Sequence, residues 1–282
     1  MRPAAVLALT VGALTCFAAN SLLARAALGT GRIDPASYTA VRLASGALVL
    51  WAIAASRGGA RPKGGWSGAT ALFVYAAAFS VAYVRVRAGP GALLLFAAVQ
   101  ATMIGWGLAR GARPTALQWA GLLVAIAGLA WLTLPGSSSP DPAGSALMAV
   151  AGIAWGAYTL AGRASRDPVG DTAGNFLRSA VITAGFLLLS AGSARAVPAG
   201  VALAAASGAV ASGVGYSLWY SVVPKLGATR AAVVQLSVPV LAALGAIPLL
   251  GEPMTGRLMV AGAAIVSGVA LAMFGHTAST AR

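Results

Sequence analysis

The chain has 282 residues, of which 59% are hydrophobic and only 9% are charged, and its formal net charge is +14. A soluble domain normally carries about 25% charged residues, so a soluble enzyme, a secreted scaffold and a disordered regulator are excluded. A polytopic membrane protein remains, because long apolar runs fill nearly the whole sequence.

The apolar runs predict ten transmembrane helices. They are long and continuous, whereas a membrane β-barrel would show segments of about ten residues with alternating polarity. A helix needs about 20 apolar residues to cross the hydrocarbon core, and ten spans joined by short loops use up the chain. The predicted spans are residues 4–24, 36–56, 66–86, 90–109, 115–134, 143–163, 173–192, 198–221, 228–250 and 256–275.

The distribution of basic residues predicts that both termini lie in the cytoplasm. Lys and Arg concentrate in cytoplasmic loops; here they are spread singly between apolar runs, which argues against binding of nucleic acid. With the N-terminus inside, eleven basic residues face the cytoplasm: Arg2, Arg57, Arg61, Lys63, Arg110, Arg113, Arg163, Arg166, Lys225, Arg230 and Arg282. Six face the outside: Arg25, Arg32, Arg85, Arg87, Arg195 and Arg257.

The chain divides into two halves around the loop-like stretch 136–142, which is rich in serine and proline. Residues 1–135 contain the first five predicted spans, and residues 143–275 contain the other five. Residues 276–282 are predicted to form a cytoplasmic tail.

The two halves match each other at a nearly constant offset. Cys16–Ala26 aligns with Ala154–Ala164 at an offset of 138, and Arg42 aligns with Arg178 at an offset of 136. Because five is an odd number of spans, the second half enters the membrane from the opposite side. Such an inverted-topology repeat is typical of secondary transporters, whose substrate sites lie near the midplane between the repeats.

Residues 216–271 resemble the last three helices of the EamA family in the drug/metabolite transporter superfamily. The features that carry this resemblance are Tyr216, Trp219, Lys225, Gly227, Pro239, Gly251, Glu252, Thr255, Gly262 and Gly268. The resemblance implies an all-α transporter of ten helices in a 5+5 arrangement, with a cavity formed chiefly by helices 1, 3, 4, 6, 8 and 9. Within that family the chain is similar to the YddG-type bacterial exporters of aromatic amino acids.

Aromatic and amide side chains are the candidate substrate-binding groups, because flat rings stack on apolar substrates and amides can hold an amino or carboxylate group. The candidates are Asn20, Phe79, Tyr83, Gln100, Trp155, Tyr158, Tyr216, Trp219 and Tyr220. Phe79 and Tyr83 are four residues apart and so share a helix face. Core packing, the interfacial aromatic belt and bonds between helices are the alternative roles. The cavity hypothesis predicts that Tyr83, Trp155 and Tyr216 line one central space.

Arg42, Arg178 and Pro239 are candidate gating or structural residues. An arginine inside a membrane costs about 2.5–3.5 kcal/mol on insertion scales and usually faces a cavity or a partner. The two arginines could attract a carboxylate or bond carbonyl oxygens near a gate; snorkelling and capping of neighbouring helices are the alternatives. Pro239 falls within the predicted ninth helix, where it would produce a kink that is either a hinge or static.

The acidic residues argue against a proton relay. All five fall in predicted loops or at helix ends, namely Asp34, Asp141, Asp167, Asp171 and Glu252. Proton pumps normally use acids or histidines inside the membrane; Glu252, near a gate, is the most plausible exception. The sequence also shows no P-loop and no metal-ligand cluster, so no cofactor or metal is expected.

The expected function is export of small metabolites, amino acids including aromatic ones, across a bacterial inner membrane. Alternating access by uniport or exchange is expected, with a small-molecule substrate and membrane lipids as partners; the sequence does not indicate an oligomeric state. A proton-coupled exporter of drugs or cations is the alternative. A membrane enzyme would need a catalytic polar cluster, and a channel would need pore-like rings of charge.

The predicted orientation can be tested by cysteine labelling in a chain that carries Cys16→Ala. With Gly59→Cys or Ser165→Cys, a membrane-impermeant maleimide should react only from the cytoplasmic side. With Ser138→Cys it should react only from the outside. Labelling of the Ser138→Cys variant from the cytoplasm would contradict ten helices with a cytoplasmic N-terminus.

Overall fold

The structure, a computed structural model, describes residues 2–56, 63–111, 114–136, 139–226, 231 and 234–274. Within these ranges the chain is helical and contains no strand. Several residues considered above lie outside the described ranges: Arg57, Gly59, Arg61, Arg113, Ser138, Gly227, Arg230 and the tail 276–282.

The helices of the described residues are numbered in chain order. They are α1 Pro3–Leu28, α2 Pro35–Ser56, α3 Trp66–Arg85, α4 Ala88–Ala109, α5 Ala116–Thr133, α6 Pro142–Ala161, α7 Pro168–Leu189, α8 Pro198–Leu226, α9 Ser237–Leu250 and α10 Gly256–Phe274. Proline begins five of them, because its fixed φ suits the first helical position and its missing N–H has no partner to lose there.

The outer surface of this bundle is apolar. Leu48, Leu123 and Val181 expose 66%, 63% and 63% of their surface, as side chains that face lipid do. Helices α1 to α8 are long and apolar enough to cross a membrane, and α9 and α10 are shorter apolar helices. The chain is therefore a multi-pass membrane protein; the count of ten spans and the orientation remain predictions.

Helix α7 begins earlier than predicted. The Asp167 side chain accepts a hydrogen bond from the Gly170 N–H at 3.0 Å, and Pro168 occupies the first helical position. An aspartate cap followed by proline is a helix-start signal, so the predicted start at residue 173 was wrong.

Pro239 lies in the first turn of α9 rather than inside a longer helix. Proline has no N–H to donate to the carbonyl four residues earlier, at Gln235, and its ring crowds that carbonyl. A turn at Leu236 accordingly separates α9 from the helical residues 234–235. The predicted position of Pro239 in the middle of a helix is therefore wrong, and its part in gating stays a prediction.

Helix α8 contains a π-helical stretch, Ser207–Val214, which the sequence did not reveal. Wide turns of this kind are frequent at functional sites. The stretch packs closely on α2, where a Cβ added to Gly208 would overlap the carbonyl oxygen of Arg42. Glycine is therefore required there to let the backbone of α8 approach α2.

The helix contacts follow the twofold relation that an inverted repeat requires. In the predicted repeat, α1 to α5 correspond to α6 to α10. Helix α6 packs against α3 and α4, and its counterpart α1 packs against α8 and α9. The pairs that such an axis maps onto themselves, α2 with α7, α4 with α9 and α5 with α10, are also in contact. This is the contact pattern expected of the predicted repeat, which itself stays a prediction.

Asp34 joins two connections at one end of the bundle. Its Oδ1 accepts hydrogen bonds from the N–H groups of Ala36 and Ser37, both at 3.0 Å, at the start of α2. Its Oδ2 accepts one from the Arg195 N–H at 3.0 Å, in the connection before α8. Burial alone would raise the pKa of Asp34, but the hydrogen bonds from Ser37, Arg195 and Ala36 together lower it.

Replacement of Asp34 should destabilise the protein in a pH-dependent way. A carboxyl whose pKa is lowered by folding contributes stability above its unfolded pKa, about 3.9, and loses it as the pH falls through the folded value. Asp34→Ala should therefore cost about 1 kcal/mol at pH 7, and the gap should close as the pH falls below about 4. The measurement is the thermal unfolding midpoint in detergent across that range. Asp34→Asn, which keeps an N-cap, is the control; an unchanged gap for Asp34→Ala at pH 3 would contradict the assignment.

Candidate functional site

A small cavity lies between the two halves of the chain. Its lining residues are Phe17, Asn20, Ser21, Tyr75, Phe79, Leu95, Phe96, Trp155, Ala211, Tyr216 and Gln235. They come from α1, α3, α4, α6 and α8 and from the segment before α9, which are the elements that the resemblance implied. The space open to water is about 30 Å³, room for about two water molecules.

Stacked rings form one wall of the cavity. The ring centre of Trp155 lies 5.3 Å from that of Tyr216, with an interplanar angle of 18°. It lies 5.4 Å from the ring centre of Tyr158, with an interplanar angle of 28°. The Tyr75 ring lies 5.0 Å from Trp155 and 5.5 Å from Phe79. All of these rings except that of Tyr158 belong to residues that line the cavity, and an aromatic lining suits an aromatic or apolar substrate.

A chain of polar groups runs behind these rings. The Tyr75 hydroxyl accepts hydrogen bonds from Arg42 Nη2 at 2.9 Å and from Asn20 Nδ2 at 3.2 Å. The Ser207 hydroxyl, in the π-helical stretch of α8, donates to Asn20 Oδ1 at 2.5 Å. The network therefore joins α1, α2 and α3 of the first half to α8 of the second half.

Arg42 lies deep in the bundle. It is seven residues into α2, about 10 Å along the helix axis, and only 1% exposed. Its guanidinium carbon lies 5.0 Å from the Tyr75 ring centre and 4.8 Å from that of Phe79. These contacts contradict snorkelling for Arg42 and place its charge next to the cavity wall.

Arg178, the counterpart of Arg42 in the predicted repeat, has a different environment. Its Nη1 donates to the carbonyl oxygens of Lys63 at 2.6 Å and of Gly174 at 3.0 Å. It thereby holds the segment that leads into α3 against α7. Arg178 thus bonds carbonyl oxygens, as one of its expected roles requires, and it is not among the residues that line the cavity; its part in gating stays a prediction.

The structure divides the predicted substrate-binding residues into two groups. Four line the cavity: Asn20, Phe79, Trp155 and Tyr216. Five are placed elsewhere: Tyr83, Gln100, Tyr158, Trp219 and Tyr220. The hydroxyl groups of Tyr158 and Tyr220 are directed to α7, where both hydrogen-bond Thr172, at 3.2 and 3.3 Å.

Tyr83 was expected to line the central space together with Trp155 and Tyr216, and it does not. Tyr83 lies one turn after Phe79 in α3, and the two ring centres are 4.6 Å apart in an edge-to-face arrangement. Its own ring fills the space beside Gly91 of α4, where an added Cβ would come within 2.8 Å of it. On this helix face, Phe79 and Tyr75 reach the cavity, and the sequence analysis missed Tyr75.

An ion pair holds the C-terminal end of α3. Arg25 Nε lies 3.2 Å from Glu252 Oε1, and Arg25 Nη1 donates to the Tyr83 carbonyl oxygen at 2.9 Å. Glu252 Oε2 accepts from the Ala88 N–H at 2.9 Å, at the start of α4. Arg25, interpreted from the sequence as a topology signal, thus ties α1 and α3 to the connection between α9 and α10.

Residues of α7 hold the N-terminal end of α3. The Asp171 carboxylate accepts a hydrogen bond from the Gly64 N–H at 3.1 Å, and Asn175 Oδ1 accepts one from the Gly65 N–H at 2.8 Å. The two ends of the helix that carries Tyr75 are therefore fixed by different sets of polar contacts. Movement at either end would change the shape of the cavity.

Comparison with known proteins adds to this description. Residues 142–274 match the EamA-like transporter family. Uncharacterized protein PA1977 of Pseudomonas aeruginosa is 52% identical over 280 residues, which are 98% of this chain and 97% of that protein. A solved crystal structure, described only as that of a protein, superposes with a TM-score of 0.70 over 96% of this chain and 98% of the other. At 24% identity, that likeness concerns the fold.

The hydrogen bond between Asn20 and Ser207 should couple the two halves energetically. Ser207 is fully buried, and Asn20→Ala leaves its hydroxyl without this acceptor, which should cost about 1–3 kcal/mol. Ser207→Ala should then cost about 1 kcal/mol less in the Asn20→Ala background than alone. Thermal or SDS unfolding of the four proteins in detergent measures this difference. Ser212→Ala, in the same stretch, is the control, since Ser212 Oγ has no hydrogen-bond partner among the described residues; additive effects of Asn20→Ala and Ser207→Ala would exclude coupling.

Proposed function

Residues 142–274 match the EamA-like transporter family, and on that premise we propose that the chain is a secondary transporter of the bacterial inner membrane that exports small metabolites. Amino acids, including aromatic ones, are the proposed substrates. The observation that carries this proposal is the cavity, which combines the stacked rings of Trp155 and Tyr216 with the amide of Asn20. An aromatic amino acid has the same two parts, a flat apolar ring and a polar head.

Transport through this cavity requires the helices around it to separate. A space for about two waters is too small for a phenyl ring, so substrate must enter after α3 or its neighbours move. Contacts at the two ends of α3 can be released in turn, the Arg25–Glu252 pair at one end and the Asp171 and Asn175 contacts at the other. Release of one set while the other holds would expose the cavity to one side of the membrane at a time.

The positions of the acids favour uniport or exchange. In the structure, Asp34, Asp141 and Asp167 precede helices, Asp171 lies in the first turn of α7, and Glu252 follows α9. Obligatory proton antiport needs a group whose protonation differs between the two access states. No acid is among the residues that line the cavity, and a tyrosine, with a pKa near 10 in water, is a poor relay at neutral pH.

Export of drugs or cations with proton coupling is the competing function. A site for cations would call for a carboxylate in the cavity wall, as the charge partner of the substrate. The charged side chain next to this cavity is Arg42, and its sign is unfavourable for a cationic substrate. Amino acids or other metabolites with an acidic group are therefore favoured.

A liposome assay tests both substrate and coupling. Purified protein is reconstituted with unlabelled L-phenylalanine inside, and labelled L-phenylalanine outside should exchange into the vesicles faster than into protein-free liposomes. With equal concentrations on both sides and an imposed pH gradient, no net accumulation is expected, because exchange follows only the substrate's own gradient. The Glu252→Gln variant should likewise show none.

Three results would contradict the proposal. Failure of a panel of labelled amino acids to exchange would exclude them as substrates. Net accumulation that collapses with a protonophore and persists in Glu252→Gln would mean that the cavity itself couples transport to protons. Accumulation that is lost in Glu252→Gln would instead assign the coupling to Glu252.

A further inference from the structure

The fold leaves Arg42 incompletely paired. Its Nη2 donates to the Tyr75 hydroxyl, but Nε and Nη1 have no hydrogen-bond partner within the described part of the chain. A guanidinium carries five N–H donors, so three of them, one on Nε and two on Nη1, are buried without an acceptor. Buried charged donors are costly to leave unpaired, and such a group calls for an explanation.

The charge of Arg42 also lacks a counter-ion in the described ranges. Its ionisable neighbours are the tyrosines Tyr38, Tyr75 and Tyr216, and it takes part in no ion pair there. The rings of Tyr75 and Phe79 offset part of the charge. An anion close to these rings would complete the compensation.

The Tyr75 hydroxyl connects this charge to the cavity. It accepts two hydrogen bonds, from Arg42 and Asn20, and the described residues offer no acceptor for its own proton. The ring lines the cavity, and a hydroxyl that accepts from a guanidinium is polarised and so becomes a stronger donor. The unused proton is therefore available to an acceptor that enters the cavity.

We propose that Tyr75 and Arg42 form a carboxylate-binding subsite at one end of the cavity. The Tyr75 hydroxyl donates to a carboxylate oxygen of the substrate, and Arg42, as a positioning residue behind it, supplies the balancing positive charge. The subsite selects substrates that carry a carboxylate and excludes cations that lack one. The inference rests on the proposed function, because it assigns one end of the transport cavity.

Arg178 supplies a matched control within the same chain. It occupies the position that corresponds to Arg42 in the predicted repeat, but it donates to the carbonyl oxygens of Lys63 and Gly174. A general effect of losing one arginine from the bundle should appear in both Arg42→Gln and Arg178→Gln. Selectivity for a carboxylate should change in Arg42→Gln alone.

The experiment compares acids with their amides as ligands of the purified full-length protein in detergent. The probes are 3-phenylpropionate and 3-phenylpropionamide, with L-phenylalanine and L-phenylalaninamide as the amino acid pair, and the readout is the ratio of their Kd values by calorimetry. The native protein should prefer each acid by about tenfold or more, as a charged hydrogen-bonding partner implies. Arg42→Gln should reduce the ratio to about one, and Tyr75→Phe should reduce it at least severalfold.

The ratio separates a binding role from a structural one. If Arg42 merely supported the fold, its loss would weaken acid and amide alike and leave the ratio unchanged. Arg42→Lys keeps the charge and should retain part of the preference, and Arg178→Gln should retain all of it. Should Arg42→Gln not yield folded protein, Tyr75→Phe, which removes one hydroxyl, decides the same question.

The possible outcomes distinguish this inference from the proposed function. Binding of 3-phenylpropionate but not of L-phenylalanine would support the subsite and argue against amino acids as substrates. Exchange of L-phenylalanine with equal Kd values for acid and amide would overturn the subsite and leave the proposed function standing. A preference for acids that persists in both Arg42→Gln and Tyr75→Phe, or failure of both acids to bind, would also overturn it.

Discussion

Arg42 lies about 10 Å along the axis of α2 from the start of that helix. The residues around its guanidinium compensate for the positive charge. The rings of Tyr75 and Phe79 pack against the guanidinium, and the Tyr75 hydroxyl accepts a hydrogen bond from it. The same hydroxyl accepts from Asn20, which in turn accepts from Ser207. A buried charge that is only partly paired is expensive, so the stability of the bundle depends on this network, which joins both halves. Tyr75, which accepts the hydrogen bond from Arg42, also lines the cavity.

Close backbone contacts keep the scaffold around this charge in place. In lipid, helices gain little from the hydrophobic effect and associate through van der Waals packing at small residues. A Cβ added to Gly121 of α5 would lie 2.5 Å from the Gly268 carbonyl oxygen of α10, and one added to Gly268 would lie 2.6 Å from that of Gly121. This reciprocal contact is the kind that a twofold axis between the halves produces. Gly208 of α8 plays a similar part against α2, at the level of Arg42.

Hydrophobic run length accounted for most of the fold prediction, since most apolar runs correspond to helices near their predicted places within the described residues. The errors arose where local chemistry overrode run length, as at the Asp167–Pro168 helix start and at Pro239, which lies in the first turn of α9. The site was harder to predict. Phe79 and Tyr83 were singled out by their spacing of four, and one more step of four towards the N-terminus gives Tyr75, which lies at the centre of the network. Neither the π-helical stretch that brings Ser207 to Asn20 nor the exact rotation of each helix has a sequence signal, because in a bundle this rich in alanine and glycine many helix faces can pack.

The two ends of α3 are held differently, and this difference bears on the direction of transport. At one end, the Arg25–Glu252 ion pair is joined by the bond from Arg25 to the Tyr83 carbonyl oxygen. At the other end, Asp171 and Asn175 accept hydrogen bonds from the segment that leads into α3. An ion pair near the surface contributes only about 0–1 kcal/mol by itself, so the hydrogen bonds at each end carry a comparable share of the free energy. In the proposed transport cycle, opening to one side breaks only one of these two sets. Since about 1.4 kcal/mol changes a population tenfold, a small difference between the two sets would decide which access state the empty protein favours.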